Sequence, residues 1–237
     1  MAETRIVESL SEFSRSLSAH YYRHERGYWV FRGHSSITFQ LIPKVGRIPY
    51  TSKTRQKAEQ SIFRMFKRCA VQYLSRIPSN DWDWLALAQH HGLPTRLLDW
   101  SFNPLAALYF AVEERIAEDG IVFALHGPRR VPQKMIDAGN PFSIGSPMRF
   151  VPNIIVPRVW VQEGLFTIHA DIEIPLSATL RRDWGLEQII VPAACKNRVR
   201  YELYRQGIHR AALFPDIDGL ASHLQWTHGV HPDQIFT

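Results

Sequence analysis

Cysteine is scarce in this chain, with Cys69 and Cys195 alone among 237 residues. Two cysteines build no disulfide framework and offer no zinc-ligand spacing, so a reducing compartment and a cytoplasmic location are expected. Long apolar runs are lacking as well. The longest, Leu105 to Val112, falls far short of the ~20 residues a membrane-spanning helix needs, so no membrane association is expected. The opening residues MAETRIVES carry two acids and no apolar core, and no secretory signal is expected from them. GxGxxG, a Walker loop, GxSxG, HExxH and CxxC are all missing, which removes the common dinucleotide, NTPase, hydrolase and zincin signatures. No internal repeat or low-complexity tract occurs.

What is present is ordinary globular material. Residues of the AVILMFWYC set make up 45% and charged residues 21%, which argues against a disordered or fibrous chain. The length suits one large domain or two small ones. Lysine and arginine number 28 against 22 acids, a balance of +6. Such a charge favours anionic partners, and nucleic acid, a pyrophosphate-containing cofactor or an acidic protein fit it equally. Simple solubility is the alternative reading.

Periodicity organises the chain. Ile6, Leu10, Phe13, Leu17 and Tyr21 form the stripe of an amphipathic helix over 6–22. Tyr28 to Phe31, between glycines, reads as a short buried strand with Arg32 at its exit. Between Ala58 and Leu74 a second helix is expected to bury Ile62, Phe66, Cys69 and Tyr73, while Lys53, Lys57, Arg64 and Arg68 form a basic face. That face is either a solvated surface or a track for phosphates. Trp82 to His91 reads as a helix capped by Asn80 or Asp81. Asn103 followed by Pro104 starts a helix to Ala117, with Leu105, Leu108, Tyr109, Val112 and Ile116 at helical spacing and Gly120 beyond its end. Strands are expected at Ile121 to Leu125, Leu165 to His169, Ile172 to Ile174 and Glu187 to Val191. Helices are expected at 193–206 and from Asp216 through Trp226. The proline- and glycine-rich stretch at about 127–160 reads as a long loop or insertion, either functional or a surface excursion. The mixture, without strict βαβ alternation, predicts a single α+β domain over 1–237.

The most site-like stretch runs from Gln89 to Val112. Gln89, His90, His91, Thr95, Arg96, Asp99, Trp100, Ser101 and Asn103 fall close together between two helices. They either build a site or fix the fold, since Arg96 and Asp99 can pair and Asn103 can cap. His20 and His24 have the i, i+4 spacing of a helical metal pair, but no third ligand stands nearby and no metal site is assigned.

Four segments then carry a resemblance: Phe31-Arg32-Gly33, QHHGLPTRLLDWSFNPLAALYFA, VQEGLFTIH from Val161 to His169, and LFPDIDGLA from Leu213 to Ala221. In that order, from about Trp29 to Leu224, they resemble the FRG-domain family, whose arrangement is distantly similar to ADP-ribosyltransferase folds. The resemblance implies a split sheet with peripheral helices and NAD as substrate, in a toxin or phage-defence setting. It gives Arg32 the first-strand role, holding a phosphate or ribose through paired charge-assisted hydrogen bonds. Trp100 or Tyr109 would stack on nicotinamide, and Gln89, His91, Thr95, Arg96 and Asp99 would complete the nucleotide site. A carboxylate near the ribose would stabilise the oxocarbenium that forms as the glycosidic bond breaks, with Glu163 the first candidate and Glu187 the second. The rival expectations are a nucleic-acid-binding or nucleic-acid-processing module using the basic face, and a non-catalytic interaction domain.

Overall fold

The computed structural model describes residues 4–17, 29–50, 54–153 and 160–229. Among these, seven strands form one mixed sheet: β1 (Thr4–Ile6), β2 (Val30–His34), β3 (Leu97–Ser101), β4 (Gly120–His126), β5 (Met148–Phe150), β6 (Gly164–Ile168) and β7 (Gly185–Val191). Their spatial order is β1-β7-β4-β2-β3-β6-β5. β1 lies parallel to β7 and the other neighbours are antiparallel. The helices are α1 (Leu10–Ser16), α2 (Lys44–Arg47), α3 (Arg55–Ala70), α4 (Asp81–His90), α5 (Pro104–Val112), α6 (Gln133–Asp137), α7 (Ala193–Arg205), α8 (Arg210–Leu213) and α9 (Ile217–His228). This is the expected α+β class.

The sheet is uneven across its width. β2 pairs with β4 from Val30↔Leu125 to His34↔Ile121, and β3 pairs with β6 from Leu97↔Ile168 to Ser101↔Gly164. Between β2 and β3 the single pair Phe31↔Ser101 closes the ladder. The expected split is therefore a seam within one continuous sheet, and beyond that pair the two halves part.

Gly33 and Gly120 explain how α5 covers the sheet beside the seam. A Cβ on Gly33 would overlap the Ala107 carbonyl oxygen and stand 2.7 Å from the Ala111 amide nitrogen, and one on Gly120 would overlap the Ala111 carbonyl. Two glycines on the strands and the alanines of α5 thus bring backbone against backbone. Ala106, Ala107, Leu108, Tyr109 and Val112 are buried there with Phe31 and Val122. Asn103 starts α5 as expected, its Oδ1 accepting from the amides of Leu105 at 2.9 Å and Ala106 at 3.4 Å.

Several expectations are corrected. The stripe from Ile6 begins on a strand: Ile6 pairs with Ile190, and a helix starts only at Leu10, behind Ser9, whose Oγ caps Glu12. The rest of that expected helix, with His20 and His24, lies outside the described residues. β2 runs through Arg32, because Gly33 serves close approach to α5 and does not break the strand. In α3 the buried face is Ala58, Glu59, Phe63 and Ala70, while Cys69 and Tyr73 are exposed. The helix is turned by the burial of Glu59 against Arg96, which polarity alone assigns to solvent. α5 stops at Val112, since the carbonyls of Glu114 and Arg115 turn away to meet Lys196. Ile172 to Ile174 is a bend, although Ile172 is buried. The expected connection between α4 and α5 contains the strand β3, and the proline-rich stretch contains α6 and β5.

Candidate functional site

Where β2 and β3 part, a cleft of about 900 Å3 opens. Its walls include Arg32, His34, Phe39, Lys44 and Arg47 from β2 and the segment after it, and Gln89, His90 and Asp99 from α4 and β3. Phe110, Glu113 and Glu114 from α5 and the turn beyond it, with Gln162, Arg210 and Phe214, form the remaining wall.

The centre of this site is one connected set of hydrogen bonds. Arg32 donates from Nε to His34 Nε2 at 2.8 Å and from Nη1 to the Asp99 carbonyl at 2.7 Å. The Asp99 carboxylate stands 3.5 Å from the same Nη1, with Arg32 17% and Asp99 59% exposed at the side chain. Gln89 donates to Asp99 Oδ2 at 2.9 Å, and Thr95 donates to Gln89 Oε1 at 2.6 Å. Burial pulls the Arg32 pKa below its ordinary value, opposed by Asp99 and reinforced by Arg47. Burial, and then the Arg32 charge, pull the His34 pKa down to about 3, so its imidazole is neutral. Among the described residues Arg47 has no acid partner, and Lys44 donates to the Gly92 carbonyl at 2.8 Å.

A second cluster stands on the α5 side. Glu113 Oε1 accepts from the Tyr109 hydroxyl and from Arg210 Nη1, each at 2.8 Å, and Arg210 lies 3.6 Å over the Phe214 ring. Arg210 Nε is buried without a partner among the described residues. Behind the wall, the fully buried Lys196 donates to the carbonyls of Ser35 and Glu114 at 2.8 Å and of Arg115 at 3.0 Å. Burial lowers its pKa, and the three carbonyls use all of its protons. Lys196 thereby fixes the segment after β2 to the end of α5.

The expected residues divide. Arg32, Gln89 and Asp99 meet at the cleft, and Thr95 supports Gln89 from behind. Arg96 turns away: it is buried and donates four hydrogen bonds to Glu59, two from Nε and one each from Nη2 and its own amide, with Phe142 over its face. Burial pushes the Glu59 carboxyl up and Arg96 opposes it. Arg96 therefore belongs to the scaffold and pairs with Glu59, not Asp99. His91 is exposed at the end of α4, outside the cleft lining, and His90 occupies the wall instead. Trp100 borders the cleft, but its ring is buried and its Nε1 donates to Thr167 at 2.9 Å. Tyr109 is buried with its hydroxyl on Glu113, and among the aromatic residues of the lining Phe39 and Phe110 are the ones that keep exposed surface. Glu163 sits in an exposed turn with φ 46°, outside the lining. Glu187 lies on β7, 3.5 Å from Arg5 and away from the seam. On the basic face Lys57, Arg64 and Arg68 are exposed, and Lys53 is outside the described residues.

His34, Lys44, Arg47, Glu113 and Arg210 were not anticipated as site residues. His34 directly follows the tripeptide, the one local signal available; Arg210 reaches Glu113 across 97 positions, which no periodicity reveals.

A sheet opened at a seam, with an arginine spanning it, defines an α+β domain with a polar ligand-sized cleft. Residues 27–120 match the family model of the FRG domain, so the chain carries an FRG domain over that stretch. The match takes in Arg32, Gln89, Asp99 and Glu113, while Gln162, Arg210 and Phe214 lie beyond it, as do the segments from Val161 and Leu213. No curated protein and no solved structure matches the chain. No helix among the described residues is long and apolar enough to cross a membrane.

Proposed function

We propose that the cleft binds NAD and that this FRG domain uses it as an ADP-ribose donor. The observation that carries this reading is the concentration of positive charge at the seam. Arg32, Arg47 and Lys44 line one wall, where Asp99 is the acid that approaches them. Arg32 is largely buried while Lys44 and Arg47 are exposed, and a pyrophosphate would neutralise these like charges facing one cleft with charge-assisted hydrogen bonds. The volume lies within the usual range for small-molecule sites, and Phe39 and Phe110 offer apolar surface to a base or nicotinamide. In the reaction the C1′–N bond to nicotinamide breaks, and the ring leaves neutral with the bonding electron pair. An acceptor oxygen or nitrogen then bonds to C1′ and gives up its proton. The carboxylate that stabilises the developing positive charge would be Asp99 or Glu113, which line the cleft, in place of Glu163. An NAD-consuming activity of this kind suits a toxin or phage-defence effector.

The test is incubation of the purified protein with NAD, following nicotinamide release and equilibrium binding. Wild type is expected to bind saturably and release nicotinamide, and Arg32→Ala to lose at least 100-fold in turnover. Absence of both binding and release in wild type overturns the reading.

The exposed cations Lys57, Arg64 and Arg68 on α3 favour a second reading, contact with nucleic acid. None forms an ion pair with an acid among the described residues, unlike Lys67, which pairs with Asp81, and Arg55, which pairs with Glu173.

A further inference from the structure

We infer that His34 is a positioning residue that aims Arg32, so that Nη2 is the nitrogen presented to an anionic oxygen in the cleft. The ligand part of this inference rests on the nucleotide reading above; the orientation part does not. A guanidinium has donors only, so the 2.8 Å contact from Arg32 Nε requires a lone pair on His34 Nε2. The ring hydrogen must then sit on Nδ1, where the Phe39 carbonyl lies at 3.1 Å to accept it. Both ring nitrogens are used, and one neutral tautomer satisfies both contacts. The ring cannot swing away. It is 7% exposed and meets Phe39 and Phe123 edge-on, with centroids at 6.1 Å and 5.3 Å.

The other anchor is on the far half-sheet. Arg32 Nη1 donates to the Asp99 carbonyl of β3, so the guanidinium spans the seam, tied to His34 on one strand and Asp99 on the other. This has a consequence for recognition. The edge formed by Nε and Nη2 is the one that grips a carboxylate or phosphate side-on, and His34 already holds its Nε. Nη2 has no hydrogen-bond partner among the described residues and is left to meet a single oxygen end-on, with Arg47 supplying further charge nearby. A phosphate oxygen of a bridged diphosphate suits this arrangement, whereas a side-on bidentate grip through Nε and Nη2 is closed.

Two variants and one spectrum test it. His34→Gln keeps an acceptor for Arg32 and a donor for the Phe39 carbonyl; His34→Phe keeps the aromatic bulk and neither polar group. The long-range 15N–1H spectrum of ligand-free wild type should show a neutral imidazole with its hydrogen on Nδ1 and a slowly exchanging Arg32 Nε–H. That signal should persist in His34→Gln and vanish in His34→Phe. NAD dissociation constants are expected within about 3-fold of wild type for His34→Gln and at least 10-fold weaker for His34→Phe. A wild-type ring with its hydrogen on Nε2 overturns the inference even if neither variant folds. So does His34→Phe binding NAD like wild type, or His34→Gln failing as badly as His34→Phe. If wild type binds no NAD, the nucleotide reading and the ligand part of this inference fall together, and the spectrum alone decides the orientation of Arg32.

Discussion

Gly33→Ala is the most demanding perturbation of the way α5 is laid on the sheet. The added methyl would occupy the space of the Ala107 carbonyl oxygen and crowd the Ala111 amide, both backbone groups that no rotamer change can move aside. Either α5 retreats by roughly 1 Å against a close-packed interior, or β2 twists out of its ladder with β4. Overpacking of this kind costs about 1–3 kcal/mol where side chains can yield, and more where backbone must move. We expect a loss of about 3 kcal/mol or more, which for a domain of this size lowers the melting temperature by roughly 6–12 °C. Gly145→Ala is the control. Its Cβ would meet nothing within 4 Å, so that variant should melt with wild type or slightly above it through the entropy of the unfolded chain. Thermal melts and urea titrations of the two proteins side by side are the assay. A Gly33→Ala protein that melts with Gly145→Ala would refute the close approach of α5 as the reason for that glycine.

Acid should destabilise the fold before most carboxylates titrate. His34 and His169 are buried with pKa values pulled down to about 3, by burial first and then by the Arg32 charge, so below pH 6.5 the unfolded chain takes up protons that the folded chain refuses. Each histidine then costs about 1.4 kcal/mol per pH unit as pH falls from 6.5 toward 3, or roughly 4 kcal/mol for the pair at pH 5. Urea midpoints at pH 7.5 and pH 5 measure this, and equal midpoints would contradict it. For the α3 face, three phosphate contacts through Lys57, Arg64 and Arg68 predict that duplex DNA affinity falls roughly 40-fold between 50 and 200 mM salt. A salt-independent affinity, or none, removes the nucleic-acid reading.

Local signals served this chain well wherever a feature is local. The Asn103-Pro104 start of α5, the apolar run of β4 and the Asp216 cap of α9 are all readable from neighbours within one turn or one strand. The resemblance joins the tripeptide and the Gln89–Asp99 segment in one site, and the structure brings Arg32, Gln89 and Asp99 to one cleft. What escaped depends on partners far away in sequence. Glu59 turns α3 because Arg96 lies 37 residues on, and Lys196 looks like one more helical lysine until Ser35, 161 positions earlier, supplies its acceptor. β3 was hidden for another reason: its exposed Asp99 interrupts a five-residue strand whose remaining positions are buried, leaving no alternation to detect.

Lys196 has one more implication. An ammonium ion enclosed by three carbonyl oxygens is the coordination chemistry of a bound alkali cation, with the cation supplied by the chain itself. A free ion in that position would stabilise the junction only by an amount that rises with the logarithm of its concentration above its dissociation constant. A tethered one cannot be diluted away or exchanged for another metal. The wall that holds the cleft open on the α5 side is therefore indifferent to the salt composition around it, even though the charges facing the cleft are not.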